Sequence, residues 1–370
     1  MKNDVPTKTP VAYDMIVFCH LRWEFVYQRP QHIISRMSDT QKVLFIEEPL
    51  HRPVHTQSSA RLIAVNENLH VLQPYVHSIS AIEDLLDEYI ADRNVSTLWF
   101  YSAAFESLSA EFRCSTIVYD CMDELSMFKG ASAELLEQEK RLLQKSNVVF
   151  TGGKSLFDAK SSLHNNVYCF PSSVDSDHFA QAMNGIEVPA DIAEIPQPVV
   201  GYYGVIDERI DMPLIENMAE KNPSLSFVMV GPLAKITEED LPKAPNIHYL
   251  GMKSYSELPG YLKAFRVAMM PFAMNDSTRY ISPTKTLEFM AGNKPIVSTP
   301  VYDVVRDYSH CVAIAPDAQN FSKAIARILQ QPAKETLDPA FGAILKATSW
   351  DATVEKMNSI LEKTYGHGKV

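Results

Sequence analysis

The chain alternates between short apolar runs and longer stretches in which apolar residues recur at helical spacing. Most runs are continuously apolar, which is typical of parallel strands covered by helices on both faces. They predict strands at residues 15–19, 43–46, 69–72, 97–101, 116–119, 148–151 and 167–170, and then at 199–203, 225–230, 247–250, 267–271, 295–298 and 312–315. Helical spacing predicts helices at 31–37, 133–144, 156–163, 255–264, 284–291, 321–329 and 350–365.

This alternation predicts an α/β protein with two Rossmann-like, doubly wound parallel-sheet domains that face a central cleft. Residues 181–198 contain three prolines, one glycine and few large apolar residues, the composition of an interdomain linker. We therefore predict one domain before this segment and a second domain from residue 199. Ligands of open α/β sheets bind at the carboxyl ends of the strands, so the loops that follow strands are the places to look for chemistry.

Composition narrows the classes of function. Of 370 residues, 46% are hydrophobic and 21% are charged, the balance of a soluble globular protein. The net charge of −11 argues against a nucleic-acid partner, which needs a basic surface. No run approaches the ~20 apolar residues of a membrane helix, and the polar residues 1–10 lack a signal sequence, so we expect a cytoplasmic protein. Five cysteines without a C-x-x-C pair predict free thiols and no zinc site.

The most informative segment is residues 281–300, ISPTKTLEFMAGNKPIVSTP. Ser282 suits the N-cap and Pro283 the first position of a helix, whose free N–H groups and dipole favour a diphosphate. Lys285 would add a positive charge in the first turn, and Glu288, on the same face, could accept hydrogen bonds from two ribose hydroxyls. The alternative interpretation is a surface ion pair on an ordinary capped helix.

A second candidate loop, GYYGVIDER at residues 201–209, follows the first strand of the second half. Gly204 would let the backbone approach a ligand, and Arg209 could bind phosphate in bidentate fashion. A tight turn with a surface arginine would have the same sequence. The chain contains no G-x-G-x-x-G fingerprint after a strand, which argues against a dinucleotide dehydrogenase.

The segment EFMAGNKPIV, which begins at Glu288, resembles the E-[AY]-M-A-x-G-x-P-V-V signature of GT-B glycosyltransferases of the family 1/4 type. In that family the Glu binds the nucleotide ribose. The preceding SPTK, Ser282 to Lys285, resembles a subgroup for bacterial cell-surface polysaccharides, in which such a lysine contacts the donor phosphates. The resemblance implies donor-binding roles for Ser282, Thr284, Lys285 and Glu288, with Gly204 and Arg209 in the diphosphate loop. Tyr280 stands where many retaining members have a second Glu, so retention or inversion stays open.

The loop after the first strand, HLRWEFVYQRPQH from His20, offers hydrogen-bond donors and stacking faces suited to sugar hydroxyls. It resembles the W-[DE]-x-x-x-Q-R-P-Q-H stretch of the same subgroup. The candidate acceptor-binding residues are His20, Arg22, Trp23, Gln28 and Arg29. The alternative is a loop whose aromatic side chains pack beneath a helix.

Asp120 and Asp123 follow another predicted strand, and either carboxylate could take the proton of an attacking hydroxyl. They could also be solvated residues at the start of the next helix. In related inverting exopolysaccharide glucuronosyltransferases the base is an Asp in a similar loop, and Asp123 matches it best. Asp175 and Asp177 form a D-x-D triplet, a metal motif of another fold, but their place before the linker favours a structural role.

The resemblance implies a GT-B fold in which the last helix returns to the first domain. The predicted domains are therefore residues 1–180 with 351–370 for the acceptor, a linker at 181–198, and 199–350 for the nucleotide sugar. The predicted activity is transfer from a nucleotide sugar, preferably a UDP-sugar, to a saccharide or lipid-linked acceptor of cell-surface glycan synthesis, with no metal or other cofactor. A nucleotide-sugar epimerase of the same fold and an inert sugar-binding partner are the alternatives. Peripheral association with the inner face of the plasma membrane stays open.

Overall fold

The structure is a computed structural model that describes residues 9–50, 53, 57–124 and 132–367. The chain folds as two units. The first comprises Met1–Pro171 and Asp351–Val370, and the second comprises Ser172–Trp350.

The first unit is built on a sheet with the strand order β3-β4-β2-β1-β5-β6-β7-β8, in which only the edge strand β3 is antiparallel to its neighbour. Its strands are β1 (Met15–Cys19), β2 (Val43–Glu47), β3 (Ser59–Ala64), β4 (Leu69–Tyr75), β5 (Asn94–Phe100), β6 (Arg113–Cys121), β7 (Val148–Thr151) and β8 (Val167–Cys169). The helices between them are α1 (Arg29–Met37), α2 (Leu86–Tyr89), α3 (Ala133–Lys145) and α4 (Lys154–Lys160), with 3₁₀ turns at Ser80–Leu85 and Ala103–Glu111.

The second unit has a fully parallel sheet with the strand order β11-β10-β9-β12-β13-β14. Its strands are β9 (Val199–Tyr203), β10 (Ser226–Val230), β11 (Ile247–Tyr249), β12 (Phe265–Met270), β13 (Ile296–Ser298) and β14 (Ala313–Ile314). Its helices are α5 (Ser176–Ala180), α6 (Ala190–Ala193), α7 (Met212–Lys221), α8 (Leu258–Ala264), α9 (Thr284–Ala291), α10 (Tyr302–Tyr308), α11 (Ala318–Leu329) and α12 (Pro339–Ala347). Short 3₁₀ turns lie at Glu238–Asp240, Tyr255–Glu257 and Asp276–Thr278.

Two parallel sheets in one chain confirm the predicted α/β class, and each predicted strand overlaps an observed one. The continuously apolar runs are the buried central strands, since every residue of β1, β9 and β10 is buried. The edge strand β3 was not predicted, because only Leu62 and Ile63 of its six residues are buried. A strand that is covered on only one face does not have the continuous apolar run by which the other strands are recognised.

Residues 181–198, whose composition predicts a linker, belong to the second unit in the structure. Ala182, Ile192 and Ile195 are buried in the hydrophobic core of that unit. The second unit begins at Ser172, before this segment rather than after it. A few well-placed apolar side chains are enough to bury a segment whose average composition is that of a connection.

The last helix, α13 (Trp350–His367), begins at the final residue of the second unit, and from Asp351 onwards it belongs to the first. Val354, Met357 and Leu361 form its buried stripe. The Asp351 carboxylate also accepts a 2.5 Å hydrogen bond from Nε of Arg36 in α1. No helix of the described residues combines the length and the apolar character needed to cross a bilayer.

Candidate active site

The strand order of the second unit reverses beside β9, which pairs with β10 on one side and β12 on the other. The loops after β9 and β12 therefore diverge from neighbouring strand ends, the usual ligand position in such sheets. Two backbone hydrogen bonds of 2.8 Å join them, from Ala273 N–H to the Arg209 carbonyl and from Asp211 N–H to the Pro271 carbonyl. These two hydrogen bonds fix the predicted diphosphate loop to the loop after β12, at the carboxyl ends of the strands.

Gly204 and Gly231, which follow β9 and β10, both have positive φ angles, of 145° and 152°. A Cβ atom on Gly231 would stand only 1.8 Å from the Gly204 carbonyl oxygen. A Cβ atom on Gly204 would lie 2.7 Å from the Tyr202 hydroxyl and 3.4 Å from Cε of Lys285. Both positions require glycine, and the absence of a side chain at Gly204 keeps its backbone close to Lys285.

Helix α9 begins at Thr284, and its N-cap is Pro283, whose side chain makes no capping hydrogen bond. The prediction that Ser282 is the N-cap is wrong, because the extended backbone of Pro283 (ψ 114°) keeps that proline outside the helix. Ser282 instead accepts a 2.9 Å hydrogen bond at its carbonyl oxygen from Oγ of Ser172. The Thr284 hydroxyl also contacts that Ser172 oxygen, at 3.0 Å. These contacts hold the helix entrance in place.

Lys285 and Glu288 form a salt bridge in the first turns of α9, with Nζ 3.1 and 3.0 Å from the two carboxylate oxygens. The side chain of Lys285 is 17% exposed and that of Glu288 only 3%. The alternative of an ordinary surface pair is therefore excluded. Nζ of Lys285 also lies 5.2 Å from the ring centre of Tyr203, in a cation–π contact. Burial raises the pKa of the Tyr203 hydroxyl well above its usual value, and the Glu288 charge raises it further.

Arg209 lies in the loop after β9 and is paired with the buried Asp207. Nε contacts both carboxylate oxygens at 3.0 Å, and Nη2 contacts Oδ2 at 2.6 Å. The arginine side chain is 32% exposed. Asp207 thus orients Arg209 and offsets part of its charge, so a phosphate would share the guanidinium with this carboxylate. Its role toward a donor stays a prediction.

In the first unit, the loop after β1 is organised by Glu47, the fully buried last residue of β2. Its carboxylate accepts hydrogen bonds from the Trp23 backbone N–H at 2.7 Å and from Arg22 at 3.1 Å. The Trp23 ring packs edge-on against Phe45 at 5.0 Å and is 8% exposed. Trp23 is therefore a packing residue, which corrects its predicted acceptor contact. Arg22 is partly exposed.

Gln31 of α1 was not among the predicted site residues, yet it fixes the shape of this loop. Its side-chain amide donates to the carbonyls of Arg22, Trp23 and Val26 at 3.1–3.3 Å. Its Oε1 accepts from the backbone N–H of Gln28, which caps α1. Gln28 and His20, the residue that follows β1, are half-buried. The acceptor roles of Gln28 and His20 stay predictions.

Arg29 and Asp120 form a buried ion pair, with side chains 7% and 0% exposed. Nε of Arg29 donates to both Asp120 oxygens at 3.0 and 3.2 Å, Nη2 donates to Oδ1 at 2.8 Å, and Nη1 donates to the Phe170 carbonyl at 2.7 Å. This geometry corrects two predictions. Each nitrogen of the Arg29 guanidinium is already engaged within the unit, and Asp120, which is fully buried, is its counter-ion.

Asp123 lies two residues beyond β6 and is half-buried. The backbone around it is held from both sides. The Cys121 thiol donates a 3.3 Å hydrogen bond to the Asp123 carbonyl, and the next residue, Glu124, pairs with Lys160 of α4 at 3.0 Å. Asp123 is therefore the one of the two predicted carboxylates that remains accessible.

Lys160 is a buried cation that sequence reasoning missed. It is 1% exposed and contacts Glu139 of α3 at 2.9 Å as well as Glu124. The Tyr119 hydroxyl donates to the same Glu139 oxygen at 2.7 Å. A lysine at the end of an amphipathic helix is normally expected to be exposed to solvent. The partners of Lys160 are remote in sequence, so no local pattern predicts that it is buried.

The D-x-D triplet has a structural role at its first residue, because Asp175 is the N-cap of α5 and accepts from His178 N–H at 3.4 Å. Within the described part of the chain, no group of three or more His, Cys, Asp or Glu side chains is arranged to hold a metal ion.

Comparison with known proteins shows that most of the second unit is similar to one protein family. Residues 198–331 match the model described as "Glycosyl transferases group 1". The chain is 24% identical over 297 residues to a Bacillus subtilis protein assigned as the teichuronic acid biosynthesis glycosyltransferase TuaH, covering 75% of this chain and 74% of that one.

Two solved structures illustrate the likeness of fold. Sucrose-phosphate synthase from Thermosynechococcus elongatus matches with a TM-score of 0.71 at 13% identity, over 96% of this chain and 100% of that one. Anabaena HepE in complex with UDP and glucose matches with a TM-score of 0.65 at 13% identity, over 95% and 99%. Both have the two-domain parallel-sheet fold that the strand order describes.

Replacing Arg29 with Met should destabilise the first unit by about 3–5 kcal/mol, because Asp120 would be left buried without its cation. The double variant Arg29→Met/Asp120→Leu should recover most of that loss, since the unpaired charge is then gone as well. The measurement is urea unfolding followed by circular dichroism. Arg113→Met, at an exposed position of β6, is the control and should change stability by less than about 0.5 kcal/mol. A double variant as unstable as Arg29→Met would contradict this account.

Proposed function

The chain is a glycosyltransferase of the GT-B type, related to enzymes of polysaccharide biosynthesis, and we propose that it transfers a sugar from a UDP-sugar to a saccharide or lipid-linked acceptor. The likeness to a teichuronic acid glycosyltransferase supports a cell-surface glycan as the product. The likeness to HepE, whose complex contains UDP and glucose, supports the choice of nucleotide. A lipid-linked acceptor would bring the enzyme to the inner face of the plasma membrane.

The observation that carries the donor assignment is the buried Lys285–Glu288 pair at the start of α9. Burying a carboxylate that is only 3% exposed is unfavourable, and desolvated carboxylates with a specific charge partner are concentrated at functional sites. In the proposed complex, Glu288 accepts hydrogen bonds from the two ribose hydroxyls. Lys285 then faces the diphosphate together with the free N–H groups of the first turn of α9.

The loop around Gly204 completes this proposed donor site. Because Gly204 has no side chain, its backbone can approach the diphosphate as closely as it approaches Lys285. Arg209, oriented by Asp207, would contribute part of a second positive charge. As the bond between the sugar and UDP breaks, the negative charge on the leaving diphosphate grows. Fixed cations and amides stabilise that charge without a metal ion.

For the acceptor we propose Asp123 as general base. In an inverting transfer, the acceptor hydroxyl attacks the anomeric carbon, UDP leaves, and the carboxylate takes the hydroxyl proton. Asp123 suits this role because it is partly accessible, whereas the neighbouring Asp120 is buried in an ion pair. The pairing of Glu124 with Lys160 would hold the loop of Asp123 in place during the reaction.

The two donor residues should have separable effects on ligand binding. Lys285→Ala should weaken UDP by about 1.5–3 kcal/mol, the value of a hydrogen bond to a charged group, and affect uridine far less. Glu288→Gln should weaken UDP and uridine equally, because both ligands carry the ribose. Isothermal titration calorimetry measures both, with Glu216→Gln on the exposed side of α7 as the control. Equal losses of UDP and uridine in Lys285→Ala would show that this lysine does not contact phosphate.

Asp123→Asn should lower turnover by about 10²–10⁴-fold while leaving UDP affinity unchanged, since it removes the base but not the donor site. A thermal-shift screen of nucleotide sugars first identifies the donor, and release of UDP in the presence of candidate acceptors measures turnover. Asp84→Asn, an exposed carboxylate of the same unit, is the matched control. Full activity of the Asp123→Asn variant would exclude Asp123 as the base.

The same assay is run on the wild type with EDTA, which should leave the rate unchanged. A rate abolished by EDTA and restored by Mg²⁺ would exclude the metal-independent mechanism.

A further inference from the structure

The second unit contains a cavity of about 610 Å³ at the amino ends of its strands, whereas Gly204 follows the carboxyl end of β9. It is lined by Phe265, Ile296 and Ala313, which lie at the amino ends of β12, β13 and β14. Its volume is within the range of pockets that bind small molecules, roughly 300–1,000 Å³. The proposed donor chemistry, at the carboxyl ends of the strands, does not use this cavity.

The charges around the cavity are unbalanced. Its charged lining residues are Lys263, Arg266, Lys294, Lys334, Glu335 and Asp338. Lys334 is paired with Asp338. The other three cations make no ion pair with any carboxylate of the described residues. Arg266 and Lys263 are close enough to Lys294 to repel its charge: burial, and then the charges of Arg266 and Lys263, together lower the pKa of Lys294 to about 8.

The polar contacts of these three cations are with backbone carbonyls. Nζ of Lys294 donates to the Lys263 carbonyl at 2.9 Å, and Nζ of Lys263 donates to the Ile186 carbonyl at 2.6 Å. Arg266 donates to the carbonyls of Ile328 and Gln331. A carbonyl oxygen satisfies a donor but does not neutralise a unit charge. An ammonium group has three donors, and the Lys263 carbonyl accepts one from Lys294.

A purely structural explanation exists for part of this arrangement. The carbonyls of Lys263 and Ile328 lie in the last turns of α8 and α11, and cations are favourable at helix carboxyl ends. This accounts for the individual hydrogen bonds. It does not account for three cations that gather beside one ligand-sized cavity without an ion pair to any carboxylate in the part of the chain that the structure describes.

We propose that this cavity is an anion-binding site, and that Lys294 and Arg266 bind a small phosphate-bearing ligand there with the help of Lys263. Such a ligand would offset the net positive charge of the lining, in which four cations outnumber two carboxylates. The rest of the lining is largely apolar and would contact the remainder of the molecule. The site is distinct from the proposed donor site and does not depend on it.

The test uses inorganic pyrophosphate as the probe in isothermal titration calorimetry. Because the proposed donor site would also bind pyrophosphate, every titration is carried out in a Lys285→Gln background as well as in the wild type. Lys294→Gln and Arg266→Gln should each weaken binding by about ten- to a hundredfold in the Lys285→Gln background, the value of losing a charged donor. Lys243→Gln, which removes an exposed lysine of the same unit, should have no effect.

A conservative variant adds a measurement that a structural role would not change. An anion favours the charged form of Lys294, so its binding should take up a proton near pH 8, and wild-type affinity should fall as the pH rises through that value. Lys294→Arg stays charged throughout, so it should keep the binding and lose this part of the pH dependence. The other ionisable groups at the cavity, Lys263, Lys334, Glu335, Asp338 and the Cys311 thiol, are common to both proteins.

The outcomes are distinct. Equal affinity of Lys294→Gln and its parent, or no pyrophosphate binding in the Lys285→Gln background, would overturn the anion site. Either result would leave the capping of helix carboxyl ends as the explanation for these cations. If Lys294→Gln does not fold, the pH comparison between wild type and Lys294→Arg decides, and identical pH profiles would overturn the proposal. An unchanged affinity on introducing Lys285→Gln would count against the proposed donor site only.

Discussion

The arrangement of the second unit's candidate site depends on one buried salt bridge, that between Lys285 and Glu288. A carboxylate as buried as Glu288 needs a cation nearby, and the i, i+3 spacing on α9 supplies one from the same helix. The ammonium group is in turn fixed by the face of Tyr203 at the end of β9. Gly204 must then lack a side chain, because the space beside it is occupied by Cε of Lys285 and the Tyr202 hydroxyl.

The first unit buries its carboxylates by the same rule but with partners from different elements. Glu47 ends β2 and is held by the loop after β1, whereas Asp120 lies at the end of β6 and is held by Arg29 of α1. One pair joins the loop after β1 to the end of β2, and the other joins helix α1 to the end of β6. Asp123, which takes no part in an ion pair among the described residues, differs from them in this respect. Asp123 is therefore distinguished from Asp120 and Glu124, whose charges are neutralised by Arg29 and Lys160.

Periodicity was sufficient to predict the parallel sheets, because burial on both faces produces an apolar run that depends on little else. The site was harder to predict, for reasons that particular residues illustrate. Arg29 and Asp120 were each recognised as polar residues after a strand, but they are 91 positions apart and nothing local indicates that they neutralise each other. Trp23 has an aromatic ring of the kind that stacks on sugars, and only its contact with Phe45 in the folded chain shows that this ring is packed in the protein.

The errors at the start of α9 and in the linker have a different origin, since there the local signals compete. Ser282 and Pro283 both fit the beginning of a helix, and the extended backbone of the proline decides which one caps it. Average properties mislead in the same way for charge. A net charge of −11 describes the whole chain, yet three cations, Lys263, Arg266 and Lys294, gather at one cavity of the second unit. Because electrostatic interactions are screened over about 8 Å at physiological salt, the charge that a ligand meets is set by such local clusters and not by the sum over the chain.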